Sequence, residues 1–339
     1  QDGGLCAAQD DLRDEGRKSV MIEEGAYDAH ALHGFAHDSI ARGSKSFALA
    51  SQLFDRETRE RVWLLYAWCR AADDLTDGQD HGGAMKPDHD PVAAVAYIRA
   101  QTDKAFAGQP TGDMAFDALG FLLTEVAIPR WVIDDIIAGF ELDARDWRPR
   151  SEDDLLRYAY HVAGAVGVAM ALVMGIDPAD ETTLDRASDL GIAFQLANIA
   201  RDVAEDAAAD RCYLPVEWMV ELDIPPGQHM HPAFRGRLSV MAKWLSEMAE
   251  EYEASARWGA RKLPPRSRWA VLAAAGIYGD IAREVRARGD HAWDHRAGTS
   301  LFAKLGWVAR AGWSVLRRPP QRRISRDGLW TRPRDEAGG

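Results

Sequence analysis

Cysteine is scarce in this 339-residue chain, which contains only Cys6, Cys69 and Cys212. An odd number of cysteines without a Cys-x-x-Cys pair excludes a disulfide framework and is typical of free thiols in a reducing cytoplasm. The chain also lacks a Pro/Gly/Ser-rich linker, an internal repeat and any segment with the alternating pattern of a β-strand. These absences predict a single all-α domain located in the cytoplasm.

Positive charge is in deficit, because 41 basic residues stand against 53 acidic ones and the net charge is −12. Such an acidic balance argues against a nucleic-acid partner. The first 28 residues contain 8 acidic and 3 basic residues, and the first 25 lack the apolar stretch of a signal peptide. We therefore expect no signal peptide and a disordered acidic tail over residues 1–26.

Long hydrophobic runs are limited to residues 158–176, in which His161 is the only side chain that ionises near neutral pH. A run of this length has to be considered as a membrane span. However, it consists mostly of Ala, Gly and Val, and charged residues crowd both of its ends. The run predicts instead a central helix that is buried on all sides.

The segment from Asp55 to Gly78 has the pattern of one helix, with Asp55 as its N-cap and Gly78 as its stop. Helical geometry places Val62, Tyr66, Cys69, Asp73 and Asp77 on one stripe. Carboxylates normally lie on the face away from the core, but this pair continues an apolar stripe. We therefore predict that Asp73 and Asp77 point inward.

A second polar stripe occurs about 120 residues later, in the segment from Gly191 to Asp206. Its members fall within about a quarter of a helical turn and are flanked by Leu196, Ile199 and Val203. They are Gly191, Gln195, Asn198, Asp202 and Asp206. The alternative interpretation is that both stripes are solvated acidic faces. Each acidic stripe borders an apolar stripe, however, which favours side chains that face the core.

Charge repulsion favours a cation between these helices, because two unit charges about 4 Å apart repel by roughly 4 kcal/mol at an effective dielectric near 20. Carboxylate and amide oxygens suit a hard ion such as Mg²⁺, which takes its other ligands from water and phosphate oxygens. Zinc would require His or Cys at ligand spacing, which neither stretch has. The sequence thus predicts a Mg²⁺-diphosphate site between two helices.

Five ordered motifs between residues 30 and 295 resemble those of the squalene and phytoene synthase family, and most of all its bacterial phytoene-forming members. They are Gly43-Ser44-Lys45-Ser46-Phe47, Arg70-Ala-Ala-Asp73-Asp74-Leu-Thr-Asp77, Tyr158-Ala-Tyr160-His161-Val-Ala-Gly164, Asn198-Ile-Ala-Arg201-Asp202-Val-Ala-Glu-Asp206 and Arg211-Cys212-Tyr213-Leu214-Pro215.

The resemblance implies an isoprenoid-synthase-like helical bundle with a central cavity over residues 27–298. It implies a prenyltransferase of carotenoid biosynthesis that joins two geranylgeranyl diphosphates head to head, through a cyclopropyl diphosphate, into phytoene. The implied cofactor is Mg²⁺ or Mn²⁺, without NADPH. A dry apolar cavity would protect the carbocation from water.

The resemblance also assigns roles to individual residues. The implied metal ligands are Asp73, Asp77, Asn198, Asp202 and Asp206, and the four carboxylates together with Tyr158 are the implied catalytic residues. The implied substrate-binding residues are Ser44, Lys45, Ser46, Tyr66, Arg70, Gln195, Arg201 and Tyr278. The base that takes the final proton is not identified by any motif.

Other functions remain open at this point. A farnesyl-diphosphate-using dehydrosqualene or squalene synthase is one alternative, and a non-catalytic family relative that serves as an assembly protein is another. Head-to-tail elongating enzymes and terpene cyclases share the first acidic motif but not the second, which is Asn-x-x-x-Asp-x-x-x-Asp here.

Residues 299–318 have the pattern of an amphipathic helix, followed by a flexible tail over 319–339. This helix either packs on the domain or lies on an anionic membrane as a peripheral contact. Near the first motif, Ala48, Ala50 and Ser51 are small. We expect them to leave a hydrocarbon tunnel open, with Ser51 facing it.

Overall fold

The computed structural model describes residues 27–43, 45–78, 89–145, 147–317, 324–332 and 334, without the side chains of residues 45, 46 and 49. No β-strand occurs in these ranges, which confirms the all-α prediction. The helices are α1 Ala29–Gly43, α2 Lys45–Ser51, α3 Arg56–Asp77, α4 Pro91–Phe106, α5 Met114–Glu125, α6 Arg130–Asp143, α7 Glu152–Ala159, α8 Ala165–Val173, α9 Glu181–Ala208, α10 Val216–Glu221, α11 Arg235–Gly259, α12 Pro265–Arg288 and α13 Leu301–Arg317.

Helix α3 begins and ends at the residues that the sequence indicated. The carboxylate of Asp55 accepts a hydrogen bond from the backbone N–H of Thr58 at 2.9 Å, which caps the first turn. At the other end Gly78 has φ 63°, and its N–H donates to the Asp74 carbonyl. Only glycine adopts this left-handed conformation without steric cost, so the helix stops directly after Asp77.

The apolar run forms α7 and α8, joined by a π-helical turn over Tyr160–Gly164. This stretch is long and apolar enough to cross a membrane, but 61% of its most apolar window is buried inside the bundle. Close packing against α9 is possible because Gly191 has no side chain: a Cβ there would lie 2.1 Å from the Ala163 carbonyl oxygen. The stretch is the buried core helix that the sequence predicted.

Helices α3, α8, α9, α11 and α12 surround a cavity in the middle of the bundle. Helix α13 packs on the outside of α12, and the indole N–H of Trp269 donates to the Val308 carbonyl at 2.7 Å. The predicted acidic tail, residues 1–26, lies outside the described residues. Part of the predicted flexible tail, residues 324–332 and 334, packs against α9 and α11, which the sequence did not indicate.

Candidate active site

The first acidic stretch lies on the last turns of α3 and is paired with arginine in this structure. Nη1 of Arg70 donates to Oδ2 of Asp73 at 3.1 Å, and the same guanidinium pairs with Asp74. Nη2 of Arg211 donates to Oδ1 of Asp77 at 3.3 Å. Asp73 and Asp77, whose side chains are 49% and 27% exposed, therefore pair with cations that could also bind phosphate oxygens.

The second acidic stretch lies on α9 and has the same arrangement. Nε of Arg201 donates to Oδ1 of Asp202 at 2.7 Å, while Nη2 of Arg201 pairs with the other carboxylate oxygen. Nη2 of Arg296 also lies 3.0 Å from Oδ1 of Asp202. Arg70 and Arg201, which the resemblance assigns to diphosphate, thus pair with carboxylates of the two acidic stretches.

Three carboxyl groups around the site have raised pKa values. Burial, followed by the nearby charge of Asp77, raises the pKa of Asp73 to about 6. Burial and the charge of Asp202 do the same for Asp206, also to about 6. Burial raises the pKa of Asp143 to about 6 against the opposing effects of a Tyr158 hydrogen bond and Arg211. Desolvation and like charge both disfavour the ionised form, and bound cations would reverse that preference.

The donor set fits a hard cation that shares its ligands with substrate. Oδ1 of Asn198 is buried and has no hydrogen-bond partner, although it stands one turn before Asp202 on the same helix face. Within the described part of the chain, no three carboxylate, His or Cys side chains are grouped closely enough to hold a metal ion alone. Mg²⁺ suits such a site, because it usually keeps water and phosphate oxygens among its ligands.

Tyr158 is connected to the acidic site through Asp143, whose pKa the charge of Asp77 raises. Its side chain is buried, its hydroxyl donates to Oδ1 of Asp143 at 2.8 Å, and its ring is stacked between Trp147 and Tyr213. Burial, together with the charge of Asp143, raises the pKa of this hydroxyl well above its ordinary value. The hydroxyl is therefore protonated and able to donate a hydrogen bond.

Sequence reasoning did not assign a role to Asp143, Arg211 or Tyr213, which the structure brings next to the acidic stretches. Arg211 links the two acidic stretches, since it pairs with Asp77 on α3 and its charge lowers the pKa of Asp206 on α9. Its charge also lowers the pKa of Asp143. Arg211 and Tyr213 belong to a motif that was recognised. Asp143 is the last residue of α6, and its only sequence signal is a carboxylate eight residues after Asp135 on the same helix.

The cavity has a volume of about 320 Å³ and begins one helical turn from the acidic residues. Cys69 precedes Asp73 by one turn on α3, and Phe194 precedes Asn198 by one turn on α9; both line the cavity. Except for Thr183 and Arg186, its walls consist of aliphatic, aromatic and sulfur-containing side chains and glycine. The cavity is therefore suited to a hydrocarbon chain whose polar end reaches the acidic site.

The predicted substrate-binding residues are only partly described. Tyr66 and Tyr278 line the cavity, and the Tyr278 ring stacks on Phe194 with centroids 4.2 Å apart. Gln195 is half-buried on α9. Ser44 lies outside the described residues, as do the side chains of Lys45 and Ser46.

The expectation that Ser51 faces the tunnel is wrong. Ser51 is fully buried, its hydroxyl donates to the Ala48 carbonyl at 2.7 Å, and it accepts from the Trp63 indole at 3.0 Å. Ala50 and Phe47 line the cavity in its place. Helix α2 ends at Ser51, and the tertiary contact with Trp63 fixes the direction of this side chain.

Comparison with known proteins agrees with this architecture. The sequence pattern of the squalene/phytoene synthase family matches residues 40–303. The chain is 43% identical to a phytoene synthase of Pseudescherichia vulneris over 302 residues, which is 88% of this chain and 97% of the relative. It is 40% identical to a 15-cis-phytoene synthase of Pantoea ananas over 306 residues, 89% of this chain and 98% of that one.

Among solved structures, a dehydrosqualene synthase in complex with a ligand superimposes with a TM-score of 0.76 at 26% identity, covering 86% of this chain and 98% of that chain. A squalene synthase from Alicyclobacillus acidocaldarius superimposes with a TM-score of 0.69 at 21% identity, covering 78% and 97% of the two chains. The latter shows the shared fold. The chain belongs to the squalene/phytoene synthase family.

Proposed function

We propose that this chain is a phytoene synthase of carotenoid biosynthesis, which joins two geranylgeranyl diphosphates head to head through a cyclopropyl diphosphate. The observation that carries this proposal is the apolar cavity, whose lining on α3 and α9 ends one helical turn before Asp73 and Asn198, with Asp77, Asp202 and Asp206 farther along the same two helices. Such an arrangement is suited to a diphosphate next to a hydrocarbon chain. The identity of 40–44% to several phytoene synthases over most of the chain supports the choice of substrate.

The residues at the polar end are suited to the departure of diphosphate. When bound by these carboxylates and Asn198, Mg²⁺ or Mn²⁺ would offset the negative charge that develops on the leaving group. Arg70, Arg201 and Arg211 already pair with carboxylates of the site. If a cation held those carboxylates, the three guanidinium groups could bind phosphate oxygens instead. We expect no nicotinamide cofactor in this reaction.

The size of the cavity fits a long prenyl chain. The cavity volume of about 320 Å³ is roughly twice that of an apolar cavity of about 150 Å³ that takes up benzene. The cavity can therefore take up a large part of a prenyl chain. Met170 and Met174 line the cavity, and their unbranched side chains can adapt to a bound chain.

An incubation with purified protein, Mg²⁺ and either the 15-carbon or the 20-carbon diphosphate, without NADPH, tests the proposal directly. We expect phytoene from the 20-carbon substrate, and no product after chelation of the metal. The matched variants are Asp202→Asn, expected to be inactive, and Glu57→Gln, which changes an exposed carboxylate on α3 and should be active. A 30-carbon hydrocarbon as sole product would indicate a dehydrosqualene-type synthase, and no product from either substrate would favour the assembly protein.

A peripheral contact with the cytoplasmic face of a membrane is also part of the proposed function. Helix α13 contains three basic residues and no acidic residue. Its outward face exposes an apolar row in which Phe302 is 85% and Leu316 is 81% exposed. The whole row is Leu301, Phe302, Leu305, Trp313 and Leu316. Exposed apolar residues next to cations favour an anionic lipid surface, where substrate and product also partition.

Sedimentation with phosphatidylglycerol-containing vesicles tests this contact. We expect the double change Phe302→Ser and Leu316→Ser to weaken pelleting, and high salt to weaken it in the unchanged protein. Val220→Ser is the control, because Val220 is 70% exposed on α10, away from α13. If the double change altered only the oligomeric state and left pelleting unchanged, the face would be a contact between copies of the chain.

A further inference from the structure

Residues 324–332 and 334 form a segment, here called the C-terminal strap, that crosses the outer face of α9. Arg326 donates to both carboxylate oxygens of Asp189, at 2.8 Å each. Nη2 of Arg334 donates to Asp185 at 2.7 Å, and Nε of Arg332 lies 3.2 Å from the same carboxylate. The strap lies beyond residues 40–303, which are the part matched by the family pattern.

The carboxylates that the strap contacts are almost completely buried. Asp189 is 0% and Asp185 is 5% exposed. Removing the cation that pairs with a buried carboxylate strongly destabilises the folded protein. The burial of these two side chains therefore depends on the arginines of the strap. Further contacts anchor the strap: the N–H of Trp330 donates to the Tyr252 hydroxyl at 3.0 Å, and the indole of Trp330 donates to Asp153 at 3.0 Å.

The opposite face of this same part of α9 lines the cavity at the end away from the acidic site. Thr183, Arg186 and Leu190 belong to this lining, together with Gly259 and Leu263 from the turn after α11. Arg186 precedes Asn198 by twelve residues on α9, which is about 18 Å along the helix axis. Thr183 and Arg186 are each only 5% exposed, so this end of the cavity, the farther one along α9 from the acidic site, is here called its closed end.

Arg186 connects the strap to this closed end. Its Nη2 donates to the Ile324 carbonyl of the strap at 2.7 Å, and its Nη1 donates to the Ser255 hydroxyl at 2.9 Å. The Ser255 hydroxyl donates in turn to Asp189 at 2.5 Å, the carboxylate that Arg326 binds. Because both terminal nitrogens of the Arg186 guanidinium are hydrogen-bonded, this side chain cannot move to make room for a longer prenyl chain.

We propose that the C-terminal strap fixes the closed end of the hydrocarbon cavity and thereby limits the length of the prenyl chain that the protein accepts. Arg326 is the positioning residue: it holds Asp189, which through Ser255 holds Arg186. This inference rests on the proposed use of a prenyl diphosphate, but it is independent of which hydrocarbon is formed. Without the Arg326 guanidinium, the closed end of the cavity should be able to accommodate a longer prenyl chain.

The test uses the full chain with the single change Arg326→Gln, and Arg334→Gln as the matched control. Both residues belong to the strap, but Asp185 retains Arg332 and Arg326 when Arg334 is changed, whereas Arg326 is the one described residue of the strap that forms an ion pair with Asp189. Non-hydrolysable 15-, 20- and 25-carbon diphosphate analogues are titrated calorimetrically with Mg²⁺. Turnover of the three diphosphates in competition is measured in parallel.

We expect Arg326→Gln to raise the affinity for the 25-carbon analogue relative to the 20-carbon one by about tenfold, the lower range of what an apolar pocket gains from size discrimination. Arg334→Gln should leave the ratio unchanged. A lower melting temperature with an unchanged ratio would overturn the proposal and reduce the strap to a stabilising contact. If Arg326→Gln fails to fold, Arg326→Lys, which retains the charge but not the two-point geometry, takes its place with the same two outcomes.

Binding and turnover separate this inference from the proposed function. If the unchanged protein forms no hydrocarbon but binds the analogues, the proposed reaction fails while the ratio of affinities still decides the role of the strap. If it forms phytoene and the ratio does not change in either variant, the reaction stands and the strap proposal is wrong.

Discussion

Replacing Asp73 with asparagine should stabilise the metal-free protein and abolish its activity at the same time. The carboxyl group of Asp73 lies one helical turn from the cavity lining; partial burial and the charge of Asp77 raise its pKa from 3.8 to about 6. At neutral pH the folded protein therefore holds a charge that is less favourable there than in the unfolded chain. Asparagine has nearly the same shape and carries no charge, so this cost disappears.

The size of the effect follows from the pKa and the exposure. A rise from 3.8 to about 6 corresponds to at most ~3 kcal/mol of unfolding free energy. Because 49% of the side-chain surface is open, solvent screening reduces this to about 1 kcal/mol. For a chain of 339 residues, such a change raises the melting temperature by about 1–2 °C.

The pH dependence has a definite sign. A carboxyl whose pKa is higher in the folded than in the unfolded state binds more protons when folded, so its contribution to stability falls as pH rises between about 4 and 6. The advantage of Asp73→Asn should be complete above about pH 7, shrink as the pH falls through about 6, and vanish only below about pH 3, where the carboxyl is protonated in both states. Thermal melts of both proteins at pH 4.5, 6 and 7.5 with chelator measure it.

Adding Mg²⁺ and a non-hydrolysable diphosphate should reverse the order of stability. At one hundred times the dissociation constant, binding stabilises the unchanged protein by ~2.7 kcal/mol, or about 4 °C here, and the variant lacks one ligand. Glu57→Gln is the control on the same helix and should shift neither melt by more than ~0.5 kcal/mol. A metal-free variant less stable than the unchanged protein at pH 7.5, or one with full turnover, would refute the reasoning.

Two further predictions concern the edge of the site and the wall of the cavity. Tyr158→Phe removes the hydrogen bond that lowers the pKa of Asp143, so that pKa should rise further and the unfolding free energy should fall by about 1 kcal/mol. NMR titration of the carboxyl groups measures the pKa, and thermal melts measure the stability. An unchanged titration of Asp143 would contradict the assigned hydrogen bond. Ala50→Phe should favour the 15-carbon over the 20-carbon diphosphate, because Ala50 lines the cavity. Ser51→Phe should instead lower the unfolding free energy by ~1–3 kcal/mol without changing that preference. The same shift in substrate preference in both variants would contradict the assigned cavity wall.

The sequence by itself determined the helices and the stripes that they carry. Helix caps, stop signals and the i, i+4 spacing act over a few residues, so Asp55, Gly78 and the pair Asp73 and Asp77 could be placed without tertiary information. The buried course of α7 and α8 was also predictable, because its composition and flanking charges distinguish a core helix from a span. The metal-binding role of these residues stays a prediction.

Only the tertiary structure decided which side chains from distant segments meet. Arg211 pairs with Asp77 across 134 positions in sequence, and Arg326 pairs with Asp189 across 137, so no local pattern specifies either contact. The direction of Ser51 likewise depends on Trp63, a residue of another helix. Helix formation is governed by short-range hydrogen bonds, whereas these pairings depend on how whole helices pack, and packing is a property of the complete chain.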